Sequence, residues 1–172
     1  VLFNDSEERL YKITVSEQGS VQLKMKTELT RVLPNKKVYL LWSLLKKDKN
    51  DWVMQKATEI GVHKLIQIIA DRSEKTGFNI ERAKKIIIEA SEQCGRGDIP
   101  EIREPILIDE AISEYKDTPL YICEQHSNQD NEEQFVLLDR CGLLIGPEGG
   151  WSDREKILFA NIGLPHINLG KF

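Results

Sequence analysis

An α/β fold with a mostly parallel sheet and helices on both faces is what the sequence predicts, and three observations point to it. Short apolar runs of strand length, residues 38–42, 65–69, 120–123 and 143–145, are separated by longer segments with helical periodicity. The last of these runs feeds a loop, Gly146-Pro147-Glu148-Gly149-Gly150, after which Ser152 and Glu155 fit a capping box and start a helix through Ile157, Leu158 and Ala160 toward Gly163. The turn Gly163-Leu164-Pro165-His166 then leads into a final strand, residues 167–170. Strand, glycine loop and helix make one unit, and in an open α/β sheet ligands bind at the carboxyl ends of such strands.

The loop is read as a ligand cradle. Gly146, Gly149 and Gly150 permit positive φ and close approach of the backbone, while Pro147 fixes its own φ and pushes Gly146 toward an extended conformation. A plain tight turn explains most glycine pairs, but here three glycines, a proline and a capping box coincide. Neither G-x-x-x-x-G-K-[ST] nor G-x-G-x-x-G is present, and Glu148 would push a phosphate away, so the ligand is not a triphosphate.

Composition narrows the class. With 172 residues and 40% hydrophobic content, the chain can bury a sizeable core as one domain or one domain plus a small appendage. A net charge of −4 argues against non-specific nucleic-acid binding, so a nucleic-acid substrate would require a local basic surface. Cys94, Cys123 and Cys141 show no C-x-x-C spacing, and neither a membrane span nor a secretory signal is evident. The expectation is a cytoplasmic protein with reduced thiols, no metal and no membrane association.

Along the chain, residues 1–3 read as a strand, and residues 10–15 and 21–25 alternate with period two around Gln18-Gly19-Ser20, which predicts a β-hairpin. Turn residues at 32–37 mark a domain boundary near residue 33. A helix is expected from about Asn50 or Asp51, with Trp52, Val53, Lys56 and Ile60 near one face and Gly61 as its stop. Lys56 then packs its stem in the core, or reaches a phosphate or a partner subunit. A charged loop, Asp71-Arg72-Ser73-Glu74-Lys75, follows the 65–69 strand. Asn79 caps a second helix with Ala83, Ile86, Ile87, Ala90 and Cys94 as its apolar stripe, and Gly95 ends it. Asp109 is expected to cap a short helix through Tyr115, and residues 125–134 read as a polar loop.

Four segments, Gln55 to Val62, Glu89 to Arg96 with Ile99-Pro100, Ile145 to Gly150, and Asn168-Leu169-Gly170, occur in an order that resembles the RsmE-type RNA methyltransferases of the SPOUT class. The resemblance covers roughly residues 46 to 172. It implies a SPOUT-like α/β knot over residues 34–172, with residues 143–170 threaded through a trefoil, preceded by part of a small PUA-like β-barrel over residues 1–33. It implies S-adenosyl-L-methionine as cofactor and methylation of N3 of a uridine in small-subunit (16S) ribosomal RNA by a homodimer. Cofactor contacts carried over are Glu124, Ile145, Gly146, Pro147, Glu148, Gly149, Gly150, Leu169 and Gly170. RNA contacts are Lys56, Arg72, Ser73, Gln93 and Arg96, and the catalytic candidates are Arg96, Gln93 and Glu148. The family's segment beyond the position of Phe172, an Ile-Leu-Arg-x-Glu-Thr-Ala-like stretch, is not in this sequence. A non-catalytic RNA- or ribosome-binding module of the same shape is the alternative, as is an unrelated α/β protein that uses the loop for a small anion. Saturable cofactor binding separates the first reading from both.

Overall fold

The computed structural model describes residues 2–3, 8–15, 21–28, 33–73, 77–124 and 138–168. β1 (Leu2–Phe3), β2 (Glu8–Val15) and β3 (Val21–Glu28) form an antiparallel sheet in that order. Alternation located the β2–β3 hairpin, whose register shifts between Leu10 and Tyr11. The expected turn at residues 18–20, the polar loop at 125–134, Leu169 and Gly170 lie outside the described residues.

From residue 37 the chain alternates strand and helix. β4 (Lys37–Ser43), β5 (Lys64–Ile69), β6 (Glu101–Ile102), β7 (Ile106–Leu107), β8 (Leu120–Glu124), β9 (Arg140–Ile145) and β10 (His166–Asn168) make a seven-stranded sheet. Its order is β10-β8-β9-β4-β5-β6, with β7 also paired to β5, and every pairing is parallel. Helices on both faces bury the central strands twice over, which is why β4, β5 and β9 read as continuous apolar runs. On one face Leu41, Ile66, Ile68, Ile122 and Leu144 pack with Ile108 and Ala111 of α3 (Ile108–Glu114) and Phe159 of α4 (Asp153–Asn161). On the other, Leu40, Trp42 and Leu65 pack with Met54 and Ala57 of α1 (Lys47–Glu59) and Ala83 and Ile87 of α2 (Ile80–Cys94).

Helices α2 and α4 begin where their caps indicated. The Asn79 side chain accepts from the Arg82 amide, and Gly95 stops α2 at φ 72°. Ser152 and Glu155 form the expected reciprocal box at the start of α4. Helix α1 departs from expectation. It starts at Lys47, three residues before the expected start, with no side chain capping it, and Asn50 lies in its first turn. The Asn50 amide accepts from Trp42 Nε1 at 3.1 Å and from the Leu45 amide at 3.2 Å, and donates to the Leu45 carbonyl at 2.6 Å, stapling the β4–α1 turn. That rotates α1 so that Asn50, Met54, Ala57 and Thr58 face the sheet, while Trp52 and Ile60 are exposed. The short helix α3 starts at Ile108, one residue before the expected cap, since Glu110 reaches back to the Leu107 amide instead.

Arg96 locks α1 to the segment after α2. Its side chain is 6% exposed; Nη1 donates to the carbonyls of Thr58 at 2.9 Å and Val62 at 3.0 Å, and Nε and Nη2 donate to Asp98 at 2.8 and 3.0 Å. Thr58 lies in the last turn of α1, where a cation complements the helix dipole; its carbonyl also accepts from the Gly61 amide at 3.1 Å. Truncation would take this donor from the Val62 carbonyl and leave a partly buried carboxylate unpaired. Arg96→Ala is therefore expected to lower the unfolding free energy by about 3–5 kcal/mol in urea titration. A loss below about 1 kcal/mol would show that these bonds are not structural.

Candidate active site at the parting of two strands

β4 and β9 lie side by side, paired from Lys37–Arg140 to Trp42–Ile145. Beyond their carboxyl ends the chain goes opposite ways, from β4 into α1 on one face and from β9 into α4 on the other. Such a parting leaves a crevice at the strand ends. Here it is a cavity of about 730 Å³, lined by Leu45 and Lys49 after β4, Cys123 and Glu124 ending β8, Ile145, Gly146, Pro147, Glu148, Gly150 and Trp151 after β9, and Lys156 of α4.

The glycine loop is fixed from several sides. Trp151 is buried and packs edge-to-face on Phe159, ring centroids 5.0 Å apart. Its indole lies so close to Gly146 that a Cβ there would come within 2.9 Å of the ring, so only glycine fits. The Gly150 amide closes a turn onto the Pro147 carbonyl at 2.8 Å. Of the loop's three glycines only Gly150, at φ 69°, uses the left-handed region. Gly146 and Gly149 do not, so the expectation of positive φ is met at one position. Arg72 Nη1 donates to the Gly149 carbonyl at 2.9 Å, and Lys49 Nζ meets Glu148 Oε1 at 2.6 Å across the crevice mouth.

A polar network joins the end of β5 to the start of α4. The fully buried Glu155 carboxylate accepts from the Asp71 amide at 2.9 Å and the Ser152 amide at 2.8 Å, so its burial is compensated. The Asp71 carboxylate accepts from Arg154 Nε and Nη2, both at 3.1 Å, and from the Ser152 hydroxyl. Arg154 also donates to Asp109, at 3.0 and 3.1 Å. Arg154, with Ser152 behind it, holds the Asp71 carboxyl below the usual carboxylate range. The loop is thus preorganised by charge-assisted bonds between four chain segments.

Charge within the crevice is mixed. Lys49 draws the Glu148 carboxyl below its ordinary range, keeping it ionised at neutral pH. Glu124 is 3.3 Å from His166 Nδ1. Burial pushes the Cys123 thiol up to about 11, so it stays protonated and serves as an apolar wall rather than a nucleophile. Among the described residues no His/Cys/Asp/Glu group is arranged to hold a metal, and no helix is long and apolar enough to cross a membrane.

Glu124, Ile145, Gly146, Pro147, Glu148 and Gly150 converge here, whereas Gly149 belongs to the loop but not to the crevice lining and packs against Arg72. The other candidates do not. Lys56 pairs with Glu59 at 2.7 Å on α1. The Ser73 hydroxyl is buried, donating to the Ala70 carbonyl and accepting from the Ala70 amide. Gln93 lines a separate groove between α1 and α2 with Asp48, Asp51, Glu89 and Glu92. Arg96 is occupied in the core. Sequence reading missed Lys49, Asp71, Trp151, Arg154 and Lys156. Asp71 and Lys49 follow the carboxyl ends of two strands, a signal that was available; the contact between Arg154 and residues 45 and 83 positions away was not.

Comparison with known proteins agrees with this geometry. The RNA methyltransferase domain family matches residues 32–172. The chain is 30% identical, over 97% of its length and 72% of the relative's, to ribosomal RNA small subunit methyltransferase E 2 of Borreliella burgdorferi. Among the solved structures, ribosomal RNA small subunit methyltransferase E of Neisseria gonorrhoeae, bound to S-adenosylmethionine, superposes with TM-score 0.83 at 23% identity, over 98% of this chain and 73% of that one. A Legionella pneumophila protein described as a methyltransferase, solved with S-adenosylmethionine bound, gives TM-score 0.79 at 27% identity, over 99% of this chain and 74% of that one. The chain spans between 50% and 72% of the curated relatives' lengths. A parallel α/β fold, a glycine crevice at its switch point and these matches have one conclusion: the chain belongs to the RNA methyltransferase domain family, of the ribosomal RNA small subunit methyltransferase E type.

Proposed function

We propose that the protein transfers a methyl group from S-adenosyl-L-methionine to N3 of a uridine in small-subunit ribosomal RNA. The observation that carries this reading is the glycine loop poised over the crevice where β4 and β9 part. The residues fit the cofactor. Leu45, Cys123, Ile145, Pro147 and Trp151 offer apolar surface to an adenosine, Gly150 leaves space where no side chain intrudes, and the carboxylates of Glu124 and Glu148 favour a cation. The cofactor, when bound, supplies an electrophilic methyl group on a sulfonium. The chain supplies orientation and water exclusion, worth several kcal/mol in well-aligned systems. Glu148, ionised beside Lys49, can accept a hydrogen bond from an N–H at the crevice mouth. The finer architecture proposed follows the family: a C-terminal trefoil knot in the methyltransferase domain, and the β1–β3 sheet as part of a PUA-like barrel. Action on ribosomal RNA fits a cytoplasmic location.

Methyl incorporation into small ribosomal subunits from labelled cofactor, with the modified base mapped, tests the activity; transfer to another base or none at all overturns it. A sharper test addresses the loop. Gly150→Val places a β-branched side chain at φ 69°, a strain of about 1–3 kcal/mol, and points it toward the crevice. Calorimetric titration with S-adenosylhomocysteine is expected to show no binding by this variant, with its far-UV spectrum unchanged. A folded variant that binds normally would remove the loop from the cofactor site.

The protein is also proposed to self-associate through its methyltransferase domain. Ile157 and Ile162 of α4 and the turn after it are 62% and 45% exposed, apolar surface that a two-fold contact would cover. Light scattering at micromolar concentration is expected to give a dimer mass, and a dimer weakened by Ile157→Lys; a monomer would refute it.

A further inference from the structure

The sequence is net acidic, and ion pairs hold many of the cations whose positions the structure describes. Lys56, Lys64, Lys84, Arg82, Arg96, Arg103 and Arg154 each face a carboxylate. An RNA contact needs cations that are exposed and not already neutralised. Among the described residues several exposed cations have no carboxylate ion-pair partner; Lys37, Lys85 and Lys116 are scattered on other elements, while Lys46, Arg72 and Lys156 gather around one feature, the glycine loop. Lys46 caps α1 near enough to Glu148 to help lower its carboxyl. Arg72 spends one nitrogen on the Gly149 carbonyl and leaves the rest of its guanidinium unbonded. Lys156 lines the crevice from the first turns of α4. Lys49 joins them, tied to a single, half-exposed carboxylate, which a phosphate can replace. The groove between α1 and α2 holds Gln93 among four carboxylates with Arg82 the one cation in its lining, and so repels phosphate.

We propose that Lys46, Lys49, Arg72 and Lys156 form a basic collar that grips RNA phosphates on three sides of the crevice, and that the α1–α2 groove takes no part in RNA binding. The collar rests on the methyltransferase reading and names the surface that serves it. It holds the backbone of an RNA strand while one base enters the crevice, so its contribution is independent of sequence and sensitive to salt.

The test measures RNA affinity at several salt concentrations, using an unmodified small-subunit ribosomal RNA transcript and a scrambled transcript of the same length. Lys46→Ala and Lys156→Ala are each expected to reduce the slope of log K against log salt by about 0.7–0.9, equally for both transcripts. Affinity of the Lys46→Ala variant, which lies outside the crevice lining, for S-adenosylhomocysteine should stay within twofold. Gln93→Ala is expected to leave RNA affinity at fixed salt unchanged, and the control Lys85→Ala on α2 to leave the slope unchanged. Unchanged slopes in both collar variants, or RNA affinity weakened by Gln93→Ala, overturn the proposal. Failure of the wild-type protein to bind S-adenosylhomocysteine would instead overturn the methyltransferase reading, while the salt slopes would still decide the collar.

Discussion

The parallel pairing of β4 with β9 is the constraint on which the rest depends. Two adjacent strands run the same way, and their chains leave to opposite faces because each next helix must bury its apolar side against a different layer. The space between the departing chains cannot be filled by either helix, so a crevice results from topology before any side chain is chosen. What the side chains decide is how firmly the crevice keeps its shape. Trp151 excludes every residue but glycine at position 146, and the buried Glu155 carboxylate ties the start of α4 to the end of β5 through main-chain amides.

Charge is used in two distinct ways. Away from the crevice mouth it is matched pair by pair: Arg96 against Asp98 and two carbonyls and Glu155 against two amides in the interior, Arg154 against Asp71 and Asp109 at the surface. Exposed members of such networks each contribute little to stability, but several bonds meeting at one loop limit where that loop can go. At the crevice mouth, by contrast, positive charge is left incompletely matched. A protein of net charge −4 can therefore attract a polyanion locally without binding it everywhere.

Much of the fold was legible in the sequence because its signals are local. Period-two alternation located β2 and β3, apolar runs located β4, β5, β8 and β9, and the caps Asn79 and Ser152 set the starts of α2 and α4, since each depends on residues within a few positions. The glycine loop was found for the same reason, its glycines, proline and capping box being contiguous. Rotation of α1 was not legible. The helix was expected to begin near Asn50 or Asp51, but Asn50 lies inside it, its amide bonded to the Trp42 indole and the Leu45 backbone that the fold brings close; Trp52 then turns outward.

The same limit explains the site. Which residues make the loop was determined by sequence; which residues reach it was decided by tertiary structure. Arg72 and Arg96 are alike on paper, both arginines near the ends of elements. One lies over the Gly149 carbonyl with most of its guanidinium free, and the other is 6% exposed with its donors directed at Thr58, Val62 and Asp98. Their difference lies in sequence separations of 77 and 38 residues, contacts that a chain specifies only through the packing of its whole sheet, and that no local pattern encodes.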